Sequence, residues 1–501
     1  MAPLSESEEE NLRRREFLSA AAAALAGDAA QPAKFPFGPR RMIGIQVGAI
    51  SFVDEGIEQV LDILQQRARV NTVFLATFTY GRGIAGRQVP GQPLPDHGKQ
   101  EYDLDFHGGN YAAVHPEFYK DTVLKRTRAP DHGELDIVAA VLPAARRRGL
   151  KLVCWFEDVW RKDVPGIEQC QERDLYGRPA ATLCFNNPNV RNFWLALVED
   201  YARCYNPDGL MWGCERMGPL GNALGMSHGG AARDPGRVTC FCPFCERRAR
   251  QSGINPARAR EGYLALESWV RAARAARRPG DGYFVSFWRL LLRYPEILAW
   301  ETLWTDSLRE TYSAMYQKAK SIRPAIAVGW HIWHNNSFSP IYRAEQDLAE
   351  LAKHSDFLKI VMYHNCGGER MAGYISSVSR SLWADFSPEE ALQLHYRLLN
   401  YQEGALEQIP QRGLSADYVA RETRRALAAV AGAPTLIWPG IDIDIPTDAR
   451  HSKSTPEGTR AAVLAALKAG ADGVLLSRKY SEMRLANLSA AGEAVSELGL
   501  V

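Results

Sequence analysis

Eight short runs of apolar and β-branched residues recur along this chain, each followed by a stretch with helical spacing, and that alternation limits its fold more than any other feature. The runs are Met42 to Val47, Thr72 to Phe78, Leu150 to Phe156, Gly209 to Gly213, Ala325 to His331, Phe357 to Tyr363, Thr435 to Pro439 and Gly473 to Ser477. Strands that are apolar throughout and separated by helices belong to a parallel sheet covered by crossover connections. Eight such units fit a closed α/β structure, the (β/α)8 TIM barrel, better than an open doubly wound sheet. No Gly-x-Gly-x-x-Gly follows the first run, which removes the usual dinucleotide-binding signal. The turns agree with this. Asn206-Pro207-Asp208-Gly209, Ile322-Arg323-Pro324 and Gly470-Ala471-Asp472-Gly473 each close a helix and open a buried strand. Ser387-Pro388-Glu389-Glu390 and Thr455-Pro456-Glu457 carry the cap, proline and acid of a helix start.

Two connections are long, residues 79–133 after the second run and 214–300 after the fourth. The expected organisation is a leader over residues 1–35 and one barrel over 36–501, with a cysteine-containing insertion at about 214–300. In the leader, Arg14-Arg15-x-Phe17-Leu18 precedes an Ala-rich run from Ala20 to Ala26 and resembles a twin-arginine export signal. That run is well short of the ~20 residues a membrane-spanning helix needs. Leu25-Ala26-Gly27 is followed by Asp28 and not by the Cys of a lipid anchor. The chain is therefore expected to be exported, to the periplasm or beyond, with cleavage near Ala33. A net charge of +2 on 501 residues gives no reason to expect nucleic acid or an anionic membrane as partner.

Residues just past barrel strands point into the mouth, and here nearly every strand end is polar. Glu157 and Asp158 follow the third run, and Trp212-Gly213-Cys214-Glu215-Arg216 spans the end of the fourth. His331 and His334 follow the fifth, Tyr363-His364-Asn365 the sixth, Asp442 and Asp444 the seventh, and Lys479 the eighth. A ring of such groups suits a polar ligand with many hydroxyls, a carbohydrate. Glu215 is placed to protonate a leaving oxygen. Asp442 and Asp444, on one side if the backbone stays extended, offer the second carboxylate. Glu157, His331, His334, Tyr363, His364, Asn365 and Lys479 are the candidate substrate-binding residues.

Cys240-Phe241-Cys242-Pro243-Phe244-Cys245 places three thiols at the spacing of a structural zinc site, which needs a fourth ligand from Cys184, Cys204, Cys214 or His228. Nine cysteines, an odd number, cannot all pair as internal disulfides.

The cysteine cluster downstream of an acid on strand four resembles glycoside hydrolase family 42, the zinc-containing β-galactosidases. That family's fourth zinc cysteine lies in a Cys-x-Asn-x-Pro stretch, matched here by Cys184-Phe185-Asn186-Asn187-Pro188. The resemblance thus implies zinc held by Cys184, Cys240, Cys242 and Cys245, and Glu215 as acid/base. It departs from the pattern at Cys214, where the family has Asn, and at strand seven, where Asp442 and Asp444 stand in place of Glu. The overall pattern also resembles twin-arginine-exported, glycosidase-like barrel proteins. The expectation is a glycoside hydrolase acting through a carboxylate pair, with no cofactor required for the chemistry. Two alternatives stand beside it. One is a metal-dependent sugar isomerase, epimerase or lyase using His331, His364, Glu369 and Asp442; the other is a non-catalytic carbohydrate-binding barrel.

Overall fold

The computed structural model describes residues 41–230, 233–447 and 453–500; the leader expected over residues 1–35 lies outside them. Eight parallel strands form the barrel: β1 Met42–Val47, β2 Thr72–Thr79, β3 Lys151–Glu157, β4 Gly209–Gly213, β5 Ala327–Ile332, β6 Phe357–Val361, β7 Leu436–Asp442 and β8 Gly473–Ser477. Each pairs with the next, and β1 pairs with both β2 and β8, which closes the sheet. The fold is a (β/α)8 barrel. Its outer layer contains α1 Ile57–Ala68, α2 Ile137–Arg147, α3 Pro188–Cys204, α4 Glu296–Ile322, α5 Leu348–Ala352, α6 Ala416–Ala429, α7 Pro456–Lys468 and α8 Leu485–Glu497. Helices α6, α7, α8 and α1 pack in sequence around one side. Two helix starts are capped as the sequence suggests: at α7 Thr455 accepts from the Gly458 amide, and before the helix Pro388–Leu399 Ser387 and Glu390 form a reciprocal capping box.

Alternate strand residues point inward and fill the barrel. Phe357 stacks on Trp438 with ring centroids 4.0 Å apart, and Phe74 meets Trp438 edge-on at 5.9 Å. This lower layer is tight enough to demand glycine beside it. A Cβ at Gly329 would lie 2.3 Å from the Phe357 ring. The aromatic plug leaves the open end, at the C-terminal ends of the strands, for polar side chains.

The long connections follow different courses. Between β3 and α3 a hairpin pairs Gln171–Arg173 with Pro179–Leu183. Between β4 and α4 the described residues include the helices Pro219–Leu224, Pro243–Gln251, Pro256–Arg274 and Tyr283–Arg293. A further long connection, not singled out by the sequence, joins β6 to β7 and carries helices Gly367–Val378 and Pro388–Leu399 before α6. No described helix is long and apolar enough to cross a membrane.

Candidate active site

The strand register places four positions in one row across neighbouring strands: Glu157 is opposite Gly213, Gly213 opposite His331, and His331 opposite Lys359. All four face the barrel axis. Glu215, two residues beyond Gly213, projects above the row. Because Gly213 has no side chain, the Glu157 and His331 chains meet across it: a Cβ there would be 3.4 Å from Glu157 Cγ and 3.6 Å from His331 Cβ. Above the row opens a cavity of about 250 Å³ whose lining includes Glu157, Glu215, His331, Tyr363, Arg370 and Arg478.

The two glutamates sit in opposed environments. Glu157 is buried and accepts a hydrogen bond of 3.1 Å from Thr79 Oγ1, which in turn accepts from the Gly81 amide at 2.9 Å. Burial pushes its carboxyl up to about 8, and the negative charge of Glu215 adds to the rise; Thr79, Lys359 and Arg478 pull the other way. Glu215 is half-exposed, and its Oε1 lies 2.9 Å from His331 Nε2. Burial works against its ionised form. The His331 contact and the charges of Arg370 and Lys359 outweigh that, and its carboxyl is pulled down to about 2. Because the side chain is half open to the cavity, the opposing effect of burial is the weaker for it.

His331 bridges Glu215 to Lys359, whose Nζ is 3.3 Å from Nδ1 and donates to Tyr363 Oη at 2.9 Å. Burial, reinforced by Lys359, depresses His331 to about 4, so the ring is neutral near pH 7. A donor at Nδ1 then fixes the tautomer: Nε2 carries the hydrogen and donates it to Glu215. Burial lowers Lys359 as well, to about 7, with Glu215 and Glu157 opposing.

Three of the seven binding residues expected from the sequence, Glu157, His331 and Tyr363, line this cavity. The other four stand behind it or away from it. His334 is fully buried, with Nδ1 receiving Arg370 Nη1 at 3.2 Å and Nε2 3.1 Å from Tyr418 Oη. His364 lies against Asp442, its Nδ1 2.8 Å from Oδ1, and Asn365 donates to Ser454 Oγ at 2.8 Å. Lys479 donates to the Gly86 carbonyl at 2.9 Å and so ties the chain after β8 to the loop after β2.

The two aspartates are placed otherwise than expected, and neither lines the cavity opposite Glu215. Asp442 accepts from the backbone amides of His364, Asn365 and Cys366 at 2.9, 3.2 and 2.9 Å. Burial opposes its charge, but His364 and these amides hold the carboxyl below the usual carboxylate range. At Asp444 the backbone turns left-handed, φ 56°, so the extended alternation that would have aligned the pair ends one residue earlier. Asp444 instead accepts from Arg484 Nε at 2.9 Å and Asn487 Nδ2 at 2.7 Å. The set proposed for a divalent ion is divided by the same arrangement: His331 is on the cavity, while His364 and Asp442 face each other beneath the β6 loop. Sequence reasoning missed Lys359 and Arg370, and in the polar end of β8 it chose Lys479 where Arg478 lines the cavity. Lys359 carried a signal, a lone cation at an inward position of Phe357-Leu358-Lys359-Ile360-Val361.

Arg216 does not pair with its neighbour Glu215. It turns under the loop to Asp158 at 2.9 Å and Glu172 at 2.6 Å, with its guanidinium 4.5 Å from the Phe185 ring centre. Immediately before Phe185, Cys184 joins Cys240, Cys242 and Cys245. All four are buried and unoxidised, and their sulfurs lie within 4.8 Å of one another. Cys184 is 3.5 Å from both Cys242 and Cys245. A tetrahedral zinc with bonds of ~2.3 Å separates its sulfurs by about 3.8 Å, so this donor set fits one. Asn186 Nδ2 donates to Cys245 Sγ at 3.3 Å and supplies outer support. The other candidate ligands are elsewhere: Cys214 beside Asp158, Cys204 near His115 and Asp200, and His228 against Trp333.

Fold and site together define a (β/α)8 barrel with a paired-carboxylate cavity at its C-terminal mouth. No protein-family model and no curated protein sequence matches the chain. Among solved structures it is similar to α-L-fucosidase isoenzyme 2 from Paenibacillus thiaminolyticus, at 12% identity and TM-score 0.46, covering 92% of this chain and 49% of the fucosidase. It is also similar to the PgaB (BpsB) glycoside hydrolase domain from Bordetella bronchiseptica, at 12% identity and TM-score 0.46, covering 91% and 97%. A β-galactosidase from Halorubrum lacusprofundi matches at 14% identity and TM-score 0.47, covering 91% and 58%. This chain spans about half the length of the fucosidase and under two thirds of that β-galactosidase. With so few residues in common, what the chain does has to be sought in its own side chains.

The Asp442 cage yields a first prediction. Asp442→Asn would turn an amide N–H toward backbone donors and should lower unfolding stability by ~1–3 kcal/mol in urea titrations. An unchanged midpoint would show that Asp442 does not anchor the loop after β6.

Proposed function

We propose that this protein is a glycoside hydrolase in which Glu157 is the general acid and Glu215 the ionised carboxylate. The observation that carries this is two carboxyl groups on one cavity in opposed settings, Glu157 buried against Thr79 and Glu215 open to the cavity beside His331; these settings favour one protonated and one ionised carboxyl, the condition glycosidic cleavage requires. Glu157 donates its proton to the bridging oxygen as the bond from that oxygen to the anomeric carbon breaks. Glu215 either attacks the anomeric carbon or takes a proton from the water that does. Water ends as a hydroxyl on the sugar and a proton restored to the enzyme. His331 orients Glu215, and Lys359 orients His331. The assignment moves the acid role from Glu215, where the family resemblance put it, to Glu157. It also leaves Asp442 and Asp444 as positioning residues. A carbohydrate is the substrate in this proposal.

Two further properties belong to it. Cys184, Cys240, Cys242 and Cys245 would hold a structural zinc, which braces the loops under Glu215 and takes no part in the reaction. The twin-arginine-like leader would direct export to the periplasm or outside.

Turnover should fall as pH rises through about 8, because Glu157 then loses its proton. Glu157→Gln should remove that limb and slow substrates with poor leaving groups by ~10²–10⁴-fold, while sparing the bond-breaking step of activated aryl glycosides. The same raised carboxyl bears on stability. A group with a folded pKa above its unfolded one stabilises most below the unfolded value, and that contribution is lost as pH climbs through about 8. Glu157→Gln should therefore gain stability relative to wild type at alkaline pH. A panel of aryl glycosides and oligosaccharides hydrolysed by neither protein would refute the hydrolase assignment.

Metal analysis should find about one zinc per chain, and strong chelation should lower Tm well before it lowers the rate of the protein that stays folded. A zinc-free protein of equal Tm would end the structural-zinc proposal. Changing Arg14 and Arg15 together to Lys should leave the protein in the cytoplasm on cell fractionation; normal export of that variant would contradict the leader assignment.

A further inference from the structure

Arg370 differs from the other guanidinium groups near the barrel mouth. Arg216 pairs with Asp158 and Glu172, Arg343 and Arg425 with Glu422, and Arg478 with Glu482. Arg370 lines the cavity, yet among the described residues no carboxylate oxygen lies within 4.0 Å of it. Its side chain donates once, from Nη1 to His334 Nδ1, and its guanidinium lies 5.6 Å from the centre of the Tyr363 ring. A guanidinium has five N–H donors, so most of this one remains available on the cavity side. It is also held firmly. His334 is itself fixed by Tyr418, and the Arg370 amide donates to the Cys366 carbonyl in the turn that Asp442 cages. The charge of Glu215 favours this cation from a distance, but no carboxylate touches it, so a half-buried guanidinium of fixed orientation keeps N–H donors for an anionic ligand.

The charges around it agree. Asp158 is neutralised by Arg216, and Arg478 by Glu482. Glu215 has His331 as its direct partner and makes no ion pair with Arg370. Glu157 is held protonated by its surroundings. Despite its three carboxyl groups, the cavity can therefore accept a negative charge beside Arg370.

We propose that the cavity takes an acidic sugar, with Arg370 binding a carboxylate or sulfate ester on the ring that lies over Glu157 and Glu215. This rests on the assignment of those glutamates as the reacting pair. Guanidinium pairs with either oxyanion through two parallel N–H bonds, which lends both affinity and orientation.

The test is binding of methyl glycosides to the purified full chain, by calorimetry and by the fluorescence of Trp155 in the cavity lining. The probes are methyl glucuronide and galacturonide, methyl galactoside 6-sulfate, and the neutral glucoside and galactoside. Wild type should bind an acidic probe about tenfold or more tighter than its neutral counterpart. Arg370→Gln should lose the ratio of acidic to neutral affinity, and Arg370→Lys should keep part of it. Stronger binding of the uronides would identify a carboxylate ligand, and of the 6-sulfate a sulfate ester. Equal or tighter binding of the neutral probes by wild type, or an acidic preference that survives Arg370→Gln, would overturn the proposal. Hydrolysis of the matching aryl glycosides separates it from the function beneath it. Cleavage confined to neutral glycosides would defeat the acidic-sugar inference and leave the hydrolase. Arg370-dependent binding of acidic sugars with no cleavage of any probe would defeat the hydrolase and leave the subsite.

Discussion

The site depends on the row Glu157–Gly213–His331–Lys359, and the row depends on strand register. In a sheet, a slip of one residue sends every side chain to the other face. Closure of the barrel through β1 and β8 restricts the freedom to slip, and the Phe357–Trp438 stack packs one layer below. Within the row, His331 acts most strongly on Glu215, and behind it stands Lys359. Fully buried, it is tolerated because Tyr363 and His331 accept its hydrogen bonds and two glutamates lie near. It sets the His331 tautomer, and through it the hydrogen bond that holds Glu215 ionised. Glu157 lies three strands away along the row, where burial and the proximity of Glu215 dominate. One cation at one end thus helps to separate two otherwise similar carboxyls.

The cysteine cluster is coupled to this row through a short physical path. Cys184 leads directly into Phe185, whose ring carries the Arg216 guanidinium. Arg216 follows Glu215 and binds both Asp158, at the end of β3, and Glu172, in the hairpin. A buried ion pair of this kind contributes little net stability, but breaking one side of it is expensive. It acts as a positional constraint: Phe185 and two acids hold Arg216, Arg216 holds the backbone from which Glu215 rises, and the proposed zinc on the four sulfurs would in turn fix Phe185. Long loops after barrel strands are ordinarily mobile, and this one is fastened from below.

Much of this was legible in the sequence, for a definite reason. Strand ends are fixed by the apolar pattern, so residues at those ends could be placed at the mouth, and Glu157, Glu215, His331 and Tyr363 are there. What failed was decided by local contacts at and beyond the strand ends, which the apolar pattern does not encode. Asp442 and Asp444 looked like an alternating pair, but the left-handed turn at Asp444 separates them, and backbone amides of the β6 loop claim Asp442. His334 and His364 sit one or two residues too far along to reach the cavity. Arg370 belongs to a helix in the β6–β7 connection, whose length the sequence disguised as an ordinary crossover. Lys359 was hidden inside an apolar run, where only the two-residue period marks it as inward. The convergence of Cys184 with the other three thiols could not be read from spacing alone, which left four candidates; the family resemblance selected it.

The opposed glutamates also say how the proposed reaction could reset. When Glu157 gives up its proton, its carboxylate is left buried in a poorly solvated pocket. Its high proton affinity, set chiefly by burial, makes that state short-lived and draws a proton from the incoming water. Lys359 eases the change, because a lysine lowered to about 7 gains charge when negative charge grows nearby. Glu215 has the reverse requirement: it must begin each cycle ionised, and the His331 hydrogen bond favours its return to that state after it has bonded to the sugar or taken a proton from water. The two residues could not exchange roles without exchanging surroundings. Thr79 and a closed pocket suit an acid that must recover its proton, whereas an open position beside His331 suits a carboxylate that must reach the sugar.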